Sequence, residues 1–443
     1  MMDIMEFILK SNPRKKSAMY LALFFLLAIP LFLSCKDDDV KNEVIWSKHI
    51  SGNNLISDMG LGYPIFNKTV VFHSSPNPAN TKDKIIYGLD ADTGKEKWQL
   101  TNKDFFPKKE LEFSSLWYYY QYNNKFVCCD RVSNLNGERY IYSFDIDNGK
   151  VLWVKELPNE YDNIGLMIKG KDNVAYIDAQ KGTDKFTLIK IDINSGNYSE
   201  LFSLTRDDIP ASIPVRNLSF FQASEIYQNE SGDDLIALSL NSYDKDTDQY
   251  KVYMTLFVYN LTTNKKVYCV YVNPQAASIQ NWDAFLGRVA YVKNKLIVGM
   301  GKNVYCFDAF NEKAVLWKHS TILNDGIGMG SGNDNVFQLI PYDNLAIVYC
   351  ADHIMGLNIN DGVLRYNVKS ASGSATGSII DGILYCEDNN DFLMRDPNTG
   401  KELKRISTGK NAEGFAGSRP NGKDGKIYIH SYTDAYCIKA WRN

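Results

Sequence analysis

Apolar and polar residues alternate in short runs along most of the chain, and the runs come in pairs. Ile85-Ile86-Tyr87-Gly88-Leu89 is one run, Asp92-Thr93-Gly94 punctuates it, and Trp98 opens the next. Period-two alternation bounded by turn residues predicts two strands joined by a tight turn. Asp accepts hydrogen bonds from backbone amides ahead of it, and Gly takes the positive φ that a hairpin turn demands. A Trp four residues past the glycine is placed to lie across the neighbouring sheet and bury much of its ring.

The spacing recurs even where identities drift. Asp145, Gly149 and Trp153 reproduce the offsets of Asp90, Gly94 and Trp98, as do Asn358, Gly362 and Tyr366; Asn260, Asn264 and Tyr268 match with Asn in the turn. In two further copies, Asp192 with Gly196 and Asp396 with Gly400, the aromatic slot holds Glu200 and Lys404. Asp308 to Trp317 is one residue longer. Seven hairpins are thus explicit. The last strand, Ala435 to Lys439, runs out of chain before its partner, and Val44-Ile45-Trp46-Ser47-Lys48-His49 at the other end resembles Leu316-Trp317-Lys318-His319. The N-terminal strand is therefore predicted to close the last blade.

Each hairpin is preceded by another strand behind a short turn, as in Asp381-Gly382-Ile383-Leu384-Tyr385-Cys386. Four strands in each of eight repeats of about fifty residues predict an all-β, eight-bladed β-propeller, with seven blades as the alternative count. The Asp-x-x-x-Gly-x-x-x-Trp spacing resembles the tryptophan-docking repeat of the pyrroloquinoline-quinone (PQQ)-like propeller family, over residues 44–443. Trp46, Trp98, Trp153, Tyr268, Trp317 and Tyr366 are the structural aromatics this implies. Size and a lipoprotein-like start make the chain similar to BamB-type outer-membrane assembly lipoproteins, which implies a non-catalytic protein-interaction scaffold at the outer membrane, without a cofactor.

Residues 1–34 read as a targeting segment outside the fold. Lys10, Arg14, Lys15 and Lys16 precede an apolar run from Ala18 to Leu33 that is short for a membrane span. Phe32-Leu33-Ser34-Cys35 resembles a bacterial lipobox, with Cys35 the lipid-attachment residue; an uncleaved anchor is the other reading. Residues 35–43 form an acidic tether. Its Lys36-Asp37-Asp38-Asp39 either resembles the export tag of Bacteroidetes-type surface lipoproteins or is a solvated spacer, so a periplasmic and a cell-surface orientation both stay open. Without residues 1–34, which carry four basic and two acidic residues, the formal charge moves from −3 to −5. No basic aromatic stripe appears either, which argues against nucleic acid as a partner.

Candidate chemistry is sparse. Adjacent Cys128 and Cys129 invite comparison with the vicinal disulfide of quinone-dependent alcohol dehydrogenases. Strand alignment instead places Cys128, Cys350 and Cys386 in one small-residue slot, and Cys306 and Cys437 in the slot held elsewhere by Gly88, Ser143 and Gly356. Asp244-Lys245-Asp246-Thr247-Asp248 has alternate acids, yet Gln249 stands where a calcium loop needs glycine, so a polar hairpin tip is expected. The five histidines are scattered, and Gly326 to Gly332 leads toward a strand rather than a phosphate-binding helix. The longest repeat carries an insertion whose Asn229–Asp234 and Ser242–Gln249 segments read as enlarged loops, where binding tends to reside. Trp117 and Trp282 are possible ligand-contact aromatics. They keep a surface glycan-binding lipoprotein as the alternative function, ahead of a PQQ-dependent dehydrogenase, for which no metal or quinone ligand set can be matched.

Overall fold

Main-chain pairing gathers the strands into eight separate antiparallel sheets, seven of them meanders in chain order and the eighth adding the N-terminal strand to the last three. They are the blades of a ring. Blades 1 to 7 occupy 55–101, 119–157, 163–205, 217–278, 288–320, 338–369 and 377–406, and blade 8 joins 421–439 to Val44–His49. The computed structural model describes residues 43–50, 55–56, 62–75, 85–107, 119–129, 139–161, 163–182, 185–208, 217–246, 249–278, 288–311, 315–321, 336–350, 353–370, 376–388, 391–407, 415, 419–431 and 433–441. In blade 1 the first strand is split: Leu55–Ile56 and Ile65–Phe66 both pair with Thr69–Ser75.

The N-terminal strand closes the ring as the outermost strand of blade 8, with Trp46 opposite Cys437 and His49 opposite Asp434. Eight blades, not seven, therefore complete the circle. The first strands of successive blades lie against one another at the centre, and side chains fasten them to neighbouring backbone. Tyr119 donates its hydroxyl to the carbonyl of Gly62 at 2.7 Å. Gln338 both donates to and accepts from the backbone of Gly377, at 2.8 and 2.9 Å.

Second and third strands are buried along nearly their whole length, as in Leu345–Tyr349 and Arg139–Asp145. A neighbouring blade covers each of their faces, so the strict alternation of a one-sided sheet gives way to continuous apolar runs. Within blade 2, Phe126 and Phe144 stand opposite one another and stack at 4.6 Å. First and second strands are joined in seven blades by two-residue turns whose leading residue, at 67, 123, 172, 293, 343, 381 and 424, has φ between +47° and +55°. Asn or Asp fills six of these positions, the residues that best tolerate the left-handed region such turns require.

Two expectations need correction. Cys128 and Cys386 are equivalent, since Lys125 pairs with Asp145 and Leu384 with Arg395, beside the turn acids of their blades. Cys350 lies two residues further along, because Leu345 holds the Lys125 position opposite Asn358. All three still point into the core, as a two-residue slip preserves the face. Cys128 and Cys129 are buried and unbridged.

The second correction concerns blade 4. Ser242 to Asp246 is strand, not loop: Asp234–Asp246 and Gln249–Asn260 pair in unbroken register down to Asp246 opposite Gln249. Main chain makes that pairing, so polar side chains do not interrupt it. The second strand has 13 residues against 8 in blade 3; five more at about 3.3 Å each carry blade 4 roughly 16 Å further. Asn229–Asp233 is a small closed turn, with Gly232 at φ +82° and the Asp233 amide donating to Asn229 Oδ1 at 2.8 Å.

Candidate interaction surface

The repeat's acid and glycine build a turn that presents a bare backbone patch to the preceding blade. Asp90 Oδ1 accepts from the amides of Asp92 and Thr93 at 3.1 and 2.9 Å, and Asp145 and Asp192 cap their own turns similarly. Gly94, Gly149, Gly196 and Gly362 sit at φ +68° to +71°. At each, an added Cβ would come within 2.6 Å of an indole from the previous blade.

Trp46 lies on Gly94, Trp98 on Gly149, Trp153 on Gly196, Trp317 on Gly362, and Tyr366 beside Gly400. Each also donates to the carbonyl one residue past the turn acid. The indoles reach Ala91, Ile146, Ile193 and Ile359 at 2.8 to 3.0 Å, and the Tyr366 hydroxyl reaches Pro397 at 3.0 Å. Tyr268 donates to the carbonyl of Asp308 at 2.9 Å. Within its own blade each aromatic stands opposite the residue two before the acid, Gly88, Ser143, Val258, Cys306 and Gly356, or in blade 8, which has no such acid, opposite Cys437. In five of these pairs the register shifts by one residue just before the aromatic, a bulge that aims the ring at the next blade.

A second set of fasteners joins successive blades through lysines. Lys97 reaches Asp147 at 3.1 Å, Lys295 reaches Asn360 at 2.7 Å, Lys426 pairs with Asp92, and Lys125 binds Asn194. Asp92 and Asp147 are held below the usual carboxylate range, each chiefly by a lysine bonded to it. The signal for these was a polar residue two past each turn acid, which the hydrophobic pattern does not register.

Two seams depart from the scheme. Between blades 7 and 8 the slot holds Lys404, which pairs with Glu43 and lies 5.4 Å from the Trp441 ring centroid. Blade 8 has no turn to offer there, because its last hairpin is made from the two chain ends. Between blades 3 and 4 the bulge has moved: Glu200 pairs with Ile189, and the register shifts only beyond it. Glu200 therefore turns back to Lys181 and to the Tyr161 hydroxyl, at 2.8 Å from the latter, and Lys181 holds its carboxyl down. Phe202 faces blade 4 instead, stacked on Tyr259 at 4.0 Å.

A cleft of about 240 Å³ lies along this seam, lined by Phe202, Leu204, Phe257, Tyr259, Asn264 and Lys266. Asn264 occupies the turn-glycine position of blade 4, at φ +59°. Beyond the seam, at the face where second strands turn into third, blade 4 projects. The strand ends at Ser278 and Arg288, which flank Trp282, lie on this same face.

Cys35, Trp117 and Trp282 fall outside the described residues, as does Gly326 to Gly332. Among the described residues no group of three or more His, Cys, Asp or Glu is placed to hold a metal ion. Burial raises the Cys386 thiol to about 11 and those of Cys306 and Cys437 to about 12, the reverse of what a nucleophilic thiolate needs.

Residues 35–211 match a family model described as outer membrane protein assembly factor BamB. The match ends before blade 4 begins. No curated protein matches the sequence. Among solved structures, a europium-containing methanol dehydrogenase is 12% identical, covers 89% of this chain and 86% of its own, and superimposes with a TM-score of 0.55. Quinohemoprotein alcohol dehydrogenase ADHIIG from Pseudomonas putida HK5 is 10% identical over 92% and 77%, with a TM-score of 0.52. The computationally designed Ika8 protein is 13% identical over 90% and 100%, with a TM-score of 0.54. Such low identities show a shared fold alone. The chain is thus an eight-bladed β-propeller whose outer aromatics dock on the turns of the following blades, and its residues 35–211 are similar to the BamB family model.

Proposed function

We propose that the protein is a non-catalytic interaction scaffold of the bacterial cell envelope, tethered to the outer membrane through a lipid on Cys35. The observation that carries this reading is blade 4, which alone among the described blades prolongs all four of its strands, to between 12 and 14 residues. Elsewhere the repeat residues are absorbed in holding the ring: acids and glycines make turns, aromatics dock, lysines latch. A projecting sheet on a rigid ring presents preorganised backbone and side chains to a partner, which reduces the ordering cost of association. The match to an outer membrane assembly factor supports the envelope setting.

Affinity capture from membranes of the native host tests this reading. Shortening blade 4, by joining Asn241 to Met254 through Asn-Gly, is expected to abolish retention of whatever the wild type enriches while leaving the thermal melt in place. Substrate-dependent dye reduction after reconstitution with PQQ and calcium would overturn the reading in favour of an enzyme. Specific retention of an oligosaccharide on a glycan array would move it to carbohydrate capture.

A further inference from the structure

We propose that the cleft between blades 3 and 4 accepts an aromatic side chain from a partner protein, which docks there as the ring's own aromatics dock at other seams. This deepens the scaffold reading and rests on it. The argument starts from what six seams of the same molecule contain. In each, an indole or phenol covers the turn of the following blade and donates to a carbonyl at or just past the turn acid, over 2.8 to 3.0 Å. Blade 4 supplies the same turn. The amide of Thr263 donates to Asn260 Oδ1 at 2.8 Å, closing it as Asp90 closes its own. The corresponding acceptor is the carbonyl of Leu261, and no described side chain donates to it.

Blade 3 cannot fill this place from its own sequence. Its displaced bulge turns position 200 toward Tyr161 and Lys181, and Phe202, which faces blade 4, stacks on Tyr259 beside the cleft and has no donor to offer. What remains is a pocket with aromatic and aliphatic walls, Phe202, Leu204, Phe257 and Tyr259, and a polar end at Asn264. That combination suits a flat ring carrying one N–H or O–H.

Charge narrows the occupant further. Lys266 lines the cleft on the blade 4 side, and both it and the adjacent Lys265 are exposed. The lining carboxylate, Asp208, is already engaged by the Thr205 amide and hydroxyl at 2.8 and 3.1 Å. Acidic residues beside the incoming aromatic would meet the two lysines. The partner feature is therefore a Trp or Tyr flanked by Asp or Glu on an exposed segment.

The probe is an N-acetylated peptide Asp-Glu-Trp-Glu-Asp with 5-fluorotryptophan, titrated into the folded protein and followed by ¹⁹F NMR. Saturable binding is expected, weakened severalfold by Lys265→Glu with Lys266→Glu, and the Ala peptide, which carries no fluorine, is expected to displace the labelled peptide at least tenfold less well. These exposed positions leave the melt unchanged. Leu204→Trp, which fills the cleft from the blade 3 side, is expected to abolish binding; should it unfold, Asn264→Arg serves the same purpose from blade 4. No saturable shift, equal binding of the Ala peptide, or indifference to these variants overturns the proposal. Preferential saturation by a free oligosaccharide, or self-association lost in the same variants, overturns it too. If the peptide fails while shortening blade 4 still abolishes partner capture, the seam proposal falls and the scaffold reading stands. Quinone-dependent activity would remove both.

Discussion

Trp46 and Gly94 touch across the closure of the ring: the indole lies over the glycine and donates to the carbonyl of Ala91 at 3.0 Å. One belongs to the first described strand and the other to the first explicit repeat, so this contact ties blade 8 to blade 1. Removing a buried Trp side chain costs about 3–5 kcal/mol. Trp46→Ala is accordingly expected to lower the guanidinium unfolding free energy by about that amount. Gly94→Ala is expected to do so as well, because its Cβ meets the indole at 2.6 Å and its φ is +68°. Unchanged midpoints in both variants would show that the closure contributes nothing to stability.

Low pH should weaken the same region. His430 is buried in blade 8 against the Tyr63 hydroxyl, and burial lowers its pKa to about 3. In the unfolded chain the imidazole titrates near 6.5. Between these values the unfolded state binds the additional proton. The contribution is therefore complete above about pH 6.5 and lost as pH falls toward 3. At pH 5 the loss amounts to about 2 kcal/mol. Urea unfolding of wild type and His430→Gln at pH 7.5 and pH 5 checks this: the variant should lose less stability across that interval. Parallel losses would refute the assignment.

Anchoring is tested separately. Among the described residues no helix is long and apolar enough to cross a membrane, and Cys35 is the proposed site of lipid attachment. Cys35→Ala should move the protein from the membrane fraction to the soluble fraction of cell lysates. Membrane retention in high salt would mean that residues 1–34 or another contact holds it.

The ring was legible because its determinants are local and periodic. Gly94, Gly149 and Gly362 announce themselves by spacing, and so do the aromatics that cover them. Register is not local. Nothing in Tyr198 to Thr205 marks a bulge displaced past Glu200, so the sequence shows a missing aromatic but not the side chain turned backward or the cleft left beside Phe202. The length of blade 4 is hidden for a related reason. Ser242 to Asp246 lacks apolar alternation, yet its backbone pairs residue by residue with Gln249 to Tyr253. Lys97, Lys295 and Lys426 look like ordinary surface lysines until the neighbouring blade brings up Asp147, Asn360 and Asp92.

The seams that lack a docking aromatic, 3/4 and 7/8, lie opposite one another, four blades apart in either direction. They divide the circle into two arcs, blades 8, 1, 2 and 3 and blades 4 to 7. Within an arc each boundary carries a docked ring. At the two divisions ion pairs supplement what contact remains, Lys171 with Asp234 at 2.5 Å beside the Phe202–Tyr259 stack and Lys404 with Glu43. Partly exposed pairs of this kind contribute about 0–1 kcal/mol and weaken with salt. The propeller should therefore breathe as two rigid half-discs about a diameter. Amide hydrogen exchange should show the strands flanking these seams opening first, and faster in high salt, whereas uniform exchange around the circle would mean that all eight boundaries are equally strong.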